Sequence, residues 1–501
     1  MTDAHTSRDL PIWLRPWAVL LFVLAMLAVR LFVAGNVGLV RDEAYYALWS
    51  FWPGFGYYDH PPMVAWVVAL GRALVGENEL GVRLVPVLAS GITSLAVYRT
   101  GQILFDLRTA GIAVIWFNVT VAAGLLFIAA PDAPAVMFWA LSIWAVAEFV
   151  ARRNANWWLL AGAFAGLGLL SKYTVGFLGI GFVLYLLTSR ERRGWLRHWQ
   201  VWGGGALALL VFAPNFIWNA QHDWVSIAFQ GQRFDTYGLN FGSFTANFLD
   251  FIGGQALATG VFLFIFVVIG TVLYVRRSDL SNRANLALPL FTAAPILIYF
   301  TYYCIRFRVE ANWPVVAWPM LSLVGAWAAV HLRPRNGFFA GLLAVFRWAQ
   351  VPIGLILTVL IYVQAVWQPW SIVQTIDRTR DMRGWSGLYA DAAALGKANG
   401  ATWIASAGNY GLAAELATYA KFAGDDWPVW QITEDYRYVF RPPLDPALKT
   451  QPALVVTPGD QASVELLFDS VRPLGTASRT QRAGEVLETV NLFVATGLKN
   501  R

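Results

Sequence analysis

Charged residues are scarce in this sequence. Of its 501 residues, 13% are charged and 57% are hydrophobic, whereas roughly 25% of the residues in a soluble globular protein are charged. The longest apolar stretches include 17–35, 111–130 and 261–275, each close to the length of about 20 apolar residues that crosses a bilayer. The composition therefore excludes an ordinary soluble protein and predicts a polytopic membrane protein.

Cysteine and histidine are also rare. The single cysteine, Cys304, excludes an internal disulfide and a cysteine metal cluster. His5, His198 and His331 show no metal-ligand spacing, and the chain has no phosphate-binding glycine loop, GxSxG elbow or HExxH helix. The net charge of +7 is spread over short loops instead of one basic face, so it does not indicate nucleic-acid binding.

Hydrophobic runs predict an all-α membrane domain over residues 1–370, with a retained first helix and a first outer loop at 36–80. The segment 63–76 is too short to cross the bilayer and is predicted to form a helix that lies in the membrane interface. The eleven predicted spans are 14–35, 81–103, 109–130, 132–150, 156–170, 172–188, 200–219, 252–275, 286–304, 313–331 and 339–368.

Arginine residues predict the orientation of these spans. With a cytoplasmic N-terminus, every arginine-rich loop lies on the cytoplasmic side, in agreement with the positive-inside rule. The first outer loop and the segment after the last span then lie on the opposite face. The arginine-rich loops carry Arg108, Arg152, Arg153, Arg190, Arg192, Arg193, Arg197, Arg276, Arg277, Arg283, Arg333 and Arg335.

After Trp370 the composition changes to that of a soluble domain. The runs 403–407 and 453–456 are typical of buried strands, and the segment GNYGLAAELATYAK after the first run is typical of a glycine turn and a helix. Residues 371–501 are therefore predicted to form a small α/β domain outside the cytoplasm.

The first outer loop contains adjacent carboxylates, Asp42 and Glu43, a few residues after the first span. Carboxylates beside lipid are costly and are usually functional. The alternative is that both merely cap a helix beginning at Ala44, where the helix dipole favours acidic residues. The two interpretations are compatible, because an acid fixed at a helix N-terminus can act as a base.

Farther along this loop, Tyr58, Asp59 and His60 precede two prolines that stiffen the backbone. This pattern predicts a rigid polar cluster, and its alternative is a prolyl interfacial turn with a solvated histidine. Asp132 begins the fourth span in a proline-flanked PD segment and is either a functional acid on the outer face or a helix N-cap.

Positive charges on the predicted outer face are candidates for binding phosphate. Lys172 occupies a tight turn between two spans, where it could equally extend to the interface. Arg306 and Arg308 belong to the segment YYCIRFRVEANWP, and arginine forms bidentate bonds with phosphate oxygens. Glu310 in the same segment could bind ligand or neutralise an arginine.

Four features resemble the type-C glycosyltransferases of the protein O-mannosyltransferase and aminoarabinose transferase group. They are the DEAYY and GYYDHPPM segments of the first outer loop, the PD at the fourth span, and the many spans followed by an outer soluble domain. The RVEANWP and GNYGLAAELATYA segments are similar to those of bacterial members that modify lipid A or other envelope glycans. Aminoarabinose transferases usually have a lysine near the position of His60, so the donor sugar stays open.

The resemblance implies catalytic roles for Asp42, Glu43 and Asp132. It implies transfer of a sugar from a polyprenyl phosphate donor to an envelope lipid or glycan, on the outer face of the cell inner membrane, with inversion at the anomeric carbon. The donor phosphate and sugar are then bound by Tyr58, Asp59, His60, Lys172, Arg306, Arg308 and Glu310.

Other functions remain possible on the sequence alone. The acceptor could be a serine or threonine of a protein, and a lipid or glycan transporter would also have many spans, although charges in transporters often lie near the bilayer midplane within repeated halves. A silent scaffold is a third alternative. The sequence predicts membrane lipids as partners. It identifies no cofactor, and it leaves a divalent metal open.

Overall fold

The computed structural model describes residues 10–232, 241–277, 282–332, 334, 337–372, 377–482 and 484–499. Arg333 and Arg335 of the last basic loop lie outside this set. The described residues form two compact units, one within 1–31 and 86–359 and the other within 32–85 and 360–501. The predicted boundary at residue 370 stays a prediction.

Residues 16–366 are helical for most of their length. The helices are α1 (Pro16–Asn36), α2 (Arg41–Trp49), α3 (Met63–Val75), α4 (Glu79–Leu104), α5 (Leu107–Asn118), α6 (Val121–Gly124), α7 (Asp132–Arg152), α8 (Trp157–Leu169), α9 (Gly176–Leu187), α10 (Arg190–Trp195), α11 (Trp199–Gln221), α12 (Val225–Gln232), α13 (Phe241–Thr259), α14 (Val261–Arg276), α15 (Arg283–Tyr303), α16 (Trp318–His331) and α17 (Gly337–Val366).

Six helices among the described residues are long and apolar enough to cross a membrane, and the number rises to eight if each of two bent helix pairs is one span. Three shorter apolar helices, Trp157–Leu169, Tyr173–Leu187 and Val315–His331, occupy other predicted spans. The prediction of a multi-pass membrane protein is confirmed, whereas the count of eleven and the orientation stay predictions. The short helix predicted within the first outer loop is present as α3.

Two predicted spans are bent. The span predicted at 109–130 corresponds to the helices Leu107–Asn118 and Val121–Phe127, which meet at 68°. The span predicted at 252–275 corresponds to the helices Phe244–Thr259 and Val261–Arg276, which meet at 111°. The second bend occurs at Gly260, whose φ of +83° is disfavoured for residues with a side chain. The hydrophobic run is continuous there, so hydropathy alone predicts a straight helix.

The C-terminal part combines helices with one five-stranded sheet. Its central strands are buried on both faces, because Ile404 and Leu454 pack into one apolar cluster while Trp403 and Val455 pack into another. The strand order is β2-β1-β3-β5-β4, with β1 parallel to β2 and β3, and β5 antiparallel to β3 and β4. The elements are α18 (Trp385–Ala398), β1 (Trp403–Ser406), α19 (Tyr410–Phe422), β2 (Val429–Gln431), β3 (Ala453–Thr457), α20 (Gln461–Glu465), β4 (Phe468–Thr480) and β5 (Val486–Leu498).

The predicted strands and helix of this domain are therefore present, at β1, α19 and β3. The carboxyl end of β1 leads directly to the N-terminus of α19, which is where α/β folds commonly carry functional groups. This edge of the sheet contributes a side chain to the candidate site.

Candidate active site

The first turn of α2 holds the two adjacent carboxylates in different environments. Glu43 is fully buried and forms a bidentate ion pair with Arg83 of α4, with Nε–Oε1 and Nη2–Oε2 distances of 2.6 and 2.5 Å. Glu43 Oε2 also accepts a hydrogen bond from the backbone N–H of Val40 at 3.2 Å, which caps α2. The acidic first turn thus begins at Arg41, three residues before the helix start that the sequence suggested.

Arg83 also ties down the backbone that leads from α1 to α2. Its Nη1 donates to the carbonyl oxygens of Ala34 and Val37 at 3.0 and 2.6 Å, and its Nη2 donates to that of Gly38 at 2.8 Å. Each of these carbonyls would otherwise lack a helical partner. The Glu43–Arg83 pair therefore fixes the position and direction of α2.

Asp42, the neighbour of Glu43, is exposed. Its Oδ1 accepts a hydrogen bond of 2.6 Å from the hydroxyl of Tyr410, at the first position of α19. Burial, followed by the negative charge of Asp42, raises the pKa of Tyr410 well above its usual value. The phenol stays protonated and donates, so it orients a carboxylate whose second oxygen can face a substrate.

A glycine permits the close approach of α19 to α2. A Cβ atom at Gly411 would lie 2.7 Å from Cβ of Arg41, well inside van der Waals contact. The N-terminus of α19 is fixed in turn by Asn409, whose side chain accepts from the backbone N–H of Leu412 at 3.0 Å. Local capping and this contact together set the position of the Tyr410 hydroxyl.

The GYYDHPPM segment is joined to the same group of residues. Asp59 is buried and pairs with Arg437 at 2.7 Å, and the Arg437 guanidinium lies 4.4 Å from the centroid of the Tyr410 ring. Tyr58 lies 5.5 Å from the same guanidinium, and the ring of His60 lies 5.9 Å from that of Tyr46. The predicted rigid polar cluster therefore adjoins the residue that holds Asp42.

A second polar group belongs to the other compact unit. Lys172 donates to Asp132 Oδ1 at 2.7 Å, and both side chains are largely buried. Asn312 donates to Asp132 Oδ2 at 3.2 Å, so the RVEANWP segment reaches this group through its amide. Asp132 is the first residue of α7, as predicted, and it forms an ion pair that the sequence did not indicate.

Three other charged residues belong to the RVEANWP region. Arg308 is exposed and makes a weak contact of 3.5 Å with Asp250, and Glu310 is exposed as well. Arg306 is half-buried. Their roles as phosphate or sugar ligands stay predictions.

An apolar cavity of about 450 Å³ lies among α13, α14, α15 and α16. Its lining includes Phe251, Val267, Phe291, Leu297 and Trp318. Almost all of its surface is hydrocarbon or aromatic, so it suits a lipid chain.

Within the described parts of the chain, no three His, Cys, Asp or Glu side chains form a group that could hold a metal ion. The divalent metal that the sequence leaves open thus stays open.

Four contact residues were missed by sequence reasoning. Arg83 had a signal, because a charge inside the apolar run LGVRLVPVL is costly in a membrane helix. Tyr410 had a weaker signal, namely its position shortly after a buried strand. Asn312 lay in a segment already singled out for other residues. Arg437 had none, since no local pattern connects it with Asp59.

Comparisons with known proteins agree with this architecture. A family model described as dolichyl-phosphate-mannose-protein mannosyltransferase matches residues 59–218. The crystal structure of ArnT from Cupriavidus metallidurans bound to undecaprenyl phosphate superposes with a TM-score of 0.67 at 16% identity, over 96% of this chain and 99% of that one. The two chains therefore share a fold.

Two relatives of known activity match in sequence. The lipid A galacturonosyltransferase RgtD of Rhizobium johnstonii is 27% identical over 59% of this chain and 61% of its own length. An undecaprenyl phosphate-alpha-4-amino-4-deoxy-L-arabinose arabinosyl transferase of Pseudomonas paraeruginosa is 33% identical over 32% of this chain. The chain spans only 29% of that second relative's length.

In sequence and in fold the chain is similar to type-C glycosyltransferases, in agreement with the resemblance of its first-loop motifs.

Proposed function

We propose that the chain transfers a sugar from a polyprenyl phosphate donor to an envelope acceptor such as lipid A or another glycan. The reaction takes place on the periplasmic face of the cell inner membrane. The observation that carries this proposal is the exposed carboxylate of Asp42, held at 2.6 Å by a tyrosine that remains protonated. The name of the Pseudomonas relative supports this donor class, and that of the Rhizobium relative supports lipid A as the acceptor.

In this mechanism Asp42 accepts the proton of the acceptor hydroxyl as that oxygen attacks the anomeric carbon. The new glycosidic bond forms while the bond between the anomeric carbon and the phosphate oxygen breaks, and polyprenyl phosphate leaves with inversion. Glu43 acts as a positioning residue, because its carboxylate is fully buried and held by Arg83. If the acceptor is itself a phosphate, Asp42 orients it instead of taking a proton.

The donor requires positive charge for its phosphate and an apolar surface for its chain. Lys172, Arg306 and Arg308 are the proposed phosphate ligands, and developing charge on the leaving group is stabilised by such cations. Tyr58, Asp59, His60 and Glu310 are the proposed sugar-binding residues. The apolar cavity among α13, α14, α15 and α16 supports binding of the polyprenyl chain.

Mass spectrometry of envelope lipids, glycans and proteins tests the proposal. Cells that lack the chain are compared with cells that carry it, and one glycosylated lipid or glycan species is expected to disappear in the deletion. Loss of a glycosylated protein instead would favour a protein acceptor, for which the mannosyltransferase family match is the specific support. No change in cells that make the protein would favour a transporter or scaffold.

Tyr410→Phe is expected to lower kcat about tenfold, since a hydrogen bond to a charged group contributes roughly 1.5–3 kcal/mol. The donor KM should stay unchanged, because the hydroxyl orients only Asp42. Tyr389→Phe is the matched control, because Tyr389 donates to Asp425 at 2.7 Å in the same way. Equal effects of the two substitutions would show that Tyr410 has no special role in transfer.

Lys172→Gln is expected to raise the donor KM by about tenfold, since charge-assisted bonds to phosphate are stronger than neutral ones. Steady-state kinetics with the lipid-linked donor measure this change. Lys421→Gln, which removes an exposed lysine paired with Asp426 at 3.5 Å, serves as the control. A lower melting temperature with an unchanged donor KM would make the Asp132–Lys172 pair purely structural.

A further inference from the structure

A second cavity lies in the C-terminal part of the chain, outside the residues used above. It has a volume of about 520 Å³ and follows the end of β2. The charged side chains in its lining are Arg441, Lys449, Lys499 and Asp435, three positive and one negative. Its volume falls in the range of about 300–1,000 Å³ typical of small-molecule sites.

Arg441 is the most unusual residue in this lining. Its guanidinium carbon lies 3.8 Å from the ring centroid of Trp430 and 4.5 Å from that of Tyr438. Nη1 donates to the carbonyl oxygen of Val429 at 2.8 Å, whereas Nε and Nη2 are buried without a hydrogen-bond partner among the described residues. A buried cation with unused donors is costly, and a small movement of the side chain towards the cavity would let an anion there supply the missing acceptors.

Among the described residues, no carboxylate forms an ion pair with Arg441. Burial lowers its pKa to about 10, and the phenols of Tyr438 and Tyr45 oppose this effect. Arg441 is therefore still cationic at neutral pH. Lys499, which is exposed and donates to the carbonyl oxygen of Glu465 at 2.7 Å, adds a second cation to the lining.

We propose that this cavity binds a phosphate monoester attached to a sugar. Arginine, with its planar set of donors, suits the phosphate oxygens, and the lysines add charge that is not directional. The cavity is larger than a bare anion needs, and the carboxylate of Asp435 can accept hydrogen bonds from sugar hydroxyls. This binding is independent of the proposed role of Asp42.

Calorimetric titration of the full chain in phosphatidylcholine nanodiscs tests this inference, with glucose 1-phosphate as the probe and glucose as its neutral counterpart. Saturable binding of glucose 1-phosphate without binding of glucose is expected. Arg441→Gln should raise the Kd about tenfold or more, and Lys499→Gln about threefold, because one charge-assisted contact is lost in each. Arg472→Gln, at an exposed arginine of β4 that donates to Asn399, should leave the Kd unchanged.

Several results would overturn the inference. They are equal binding of glucose 1-phosphate and glucose, or a Kd unchanged in both Arg441→Gln and Lys499→Gln. Binding that is lost in Lys172→Gln but kept in Arg441→Gln would assign the probe to the proposed donor site instead. Because Lys499 is exposed, its variant stays informative even if Arg441→Gln does not fold.

The phosphate could belong to a lipid headgroup or to a free molecule, and two further titrations distinguish these sources. Competition by inorganic phosphate, together with undiminished binding of glucose 1-phosphate in nanodiscs that contain phosphatidic acid, supports a free phosphate compound. Weaker apparent binding of glucose 1-phosphate in nanodiscs that contain phosphatidic acid supports a lipid phosphate. Either result agrees with a phosphate monoester site at Arg441.

Discussion

Asp42→Asn is expected to abolish sugar transfer while the protein remains folded. The amide has almost the shape of the carboxylate, and Asp42 is exposed, so no buried charge is left without a partner. The amide of the variant, however, cannot accept a proton from the acceptor hydroxyl. General-base catalysis contributes about 10²–10⁴-fold, and kcat/KM should therefore fall by at least ~100-fold.

Transfer by the purified chain is measured with a lipid-linked donor whose sugar is the one identified by mass spectrometry. Asp426→Asn is the control, since Asp426 is fully exposed on the same compact unit and makes a contact of 3.5 Å with Lys421. Its kcat/KM should equal that of the unmodified chain. Activity of Asp42→Asn within about threefold of that value would remove Asp42 from the role of base.

Glu43→Gln is expected to destabilise the folded protein strongly. Removal of one partner from a buried ion pair leaves the other charge uncompensated, which costs roughly 3–5 kcal/mol. Arg83, fully buried, would be left in that state. The free energy of unfolding in detergent, followed by tryptophan fluorescence during denaturant titration, measures the effect.

Glu77→Gln provides a matched comparison. Glu77 pairs with Arg72 at the same distance of 2.5 Å, but 45% of its side chain is exposed. Exposed pairs contribute about 0–1 kcal/mol, so this substitution should have little effect. If the two substitutions cost the same, the Glu43–Arg83 pair does not hold α2 in place. A Glu43→Leu, Arg83→Met double variant should recover part of the lost stability, because it removes both buried charges.

Much of the helical architecture can be read from the sequence. The predicted spans at 14–35 and 132–150 correspond to α1 (Pro16–Asn36) and α7 (Asp132–Arg152) within a few residues. Length and hydropathy are local properties, and lipid requires each span to satisfy its own backbone hydrogen bonds. The bend at Gly260 was missed because hydropathy does not report backbone conformation, and a positive φ leaves the hydropathy unchanged.

The site was predicted less completely. Asp132 and Lys172 were both singled out, but for separate roles, and their pairing at 2.7 Å follows from packing between distant segments. Tyr410 lies 368 residues from Asp42 in the sequence. No periodic pattern encodes such a contact, so it becomes visible only when α19 is folded against α2.

The sequence by itself determined that this is a membrane protein with acidic residues just after its first span, and its motifs indicate a likeness to type-C glycosyltransferases. Only the tertiary structure decided what surrounds each of the adjacent acids. Successive residues of a helix point about 100° apart, so Glu43 faces the buried guanidinium of Arg83 while Asp42 faces solvent and the hydroxyl of Tyr410. Burial and long-range partners, which a linear motif cannot specify, enclose one carboxylate in an ion pair and leave the other exposed.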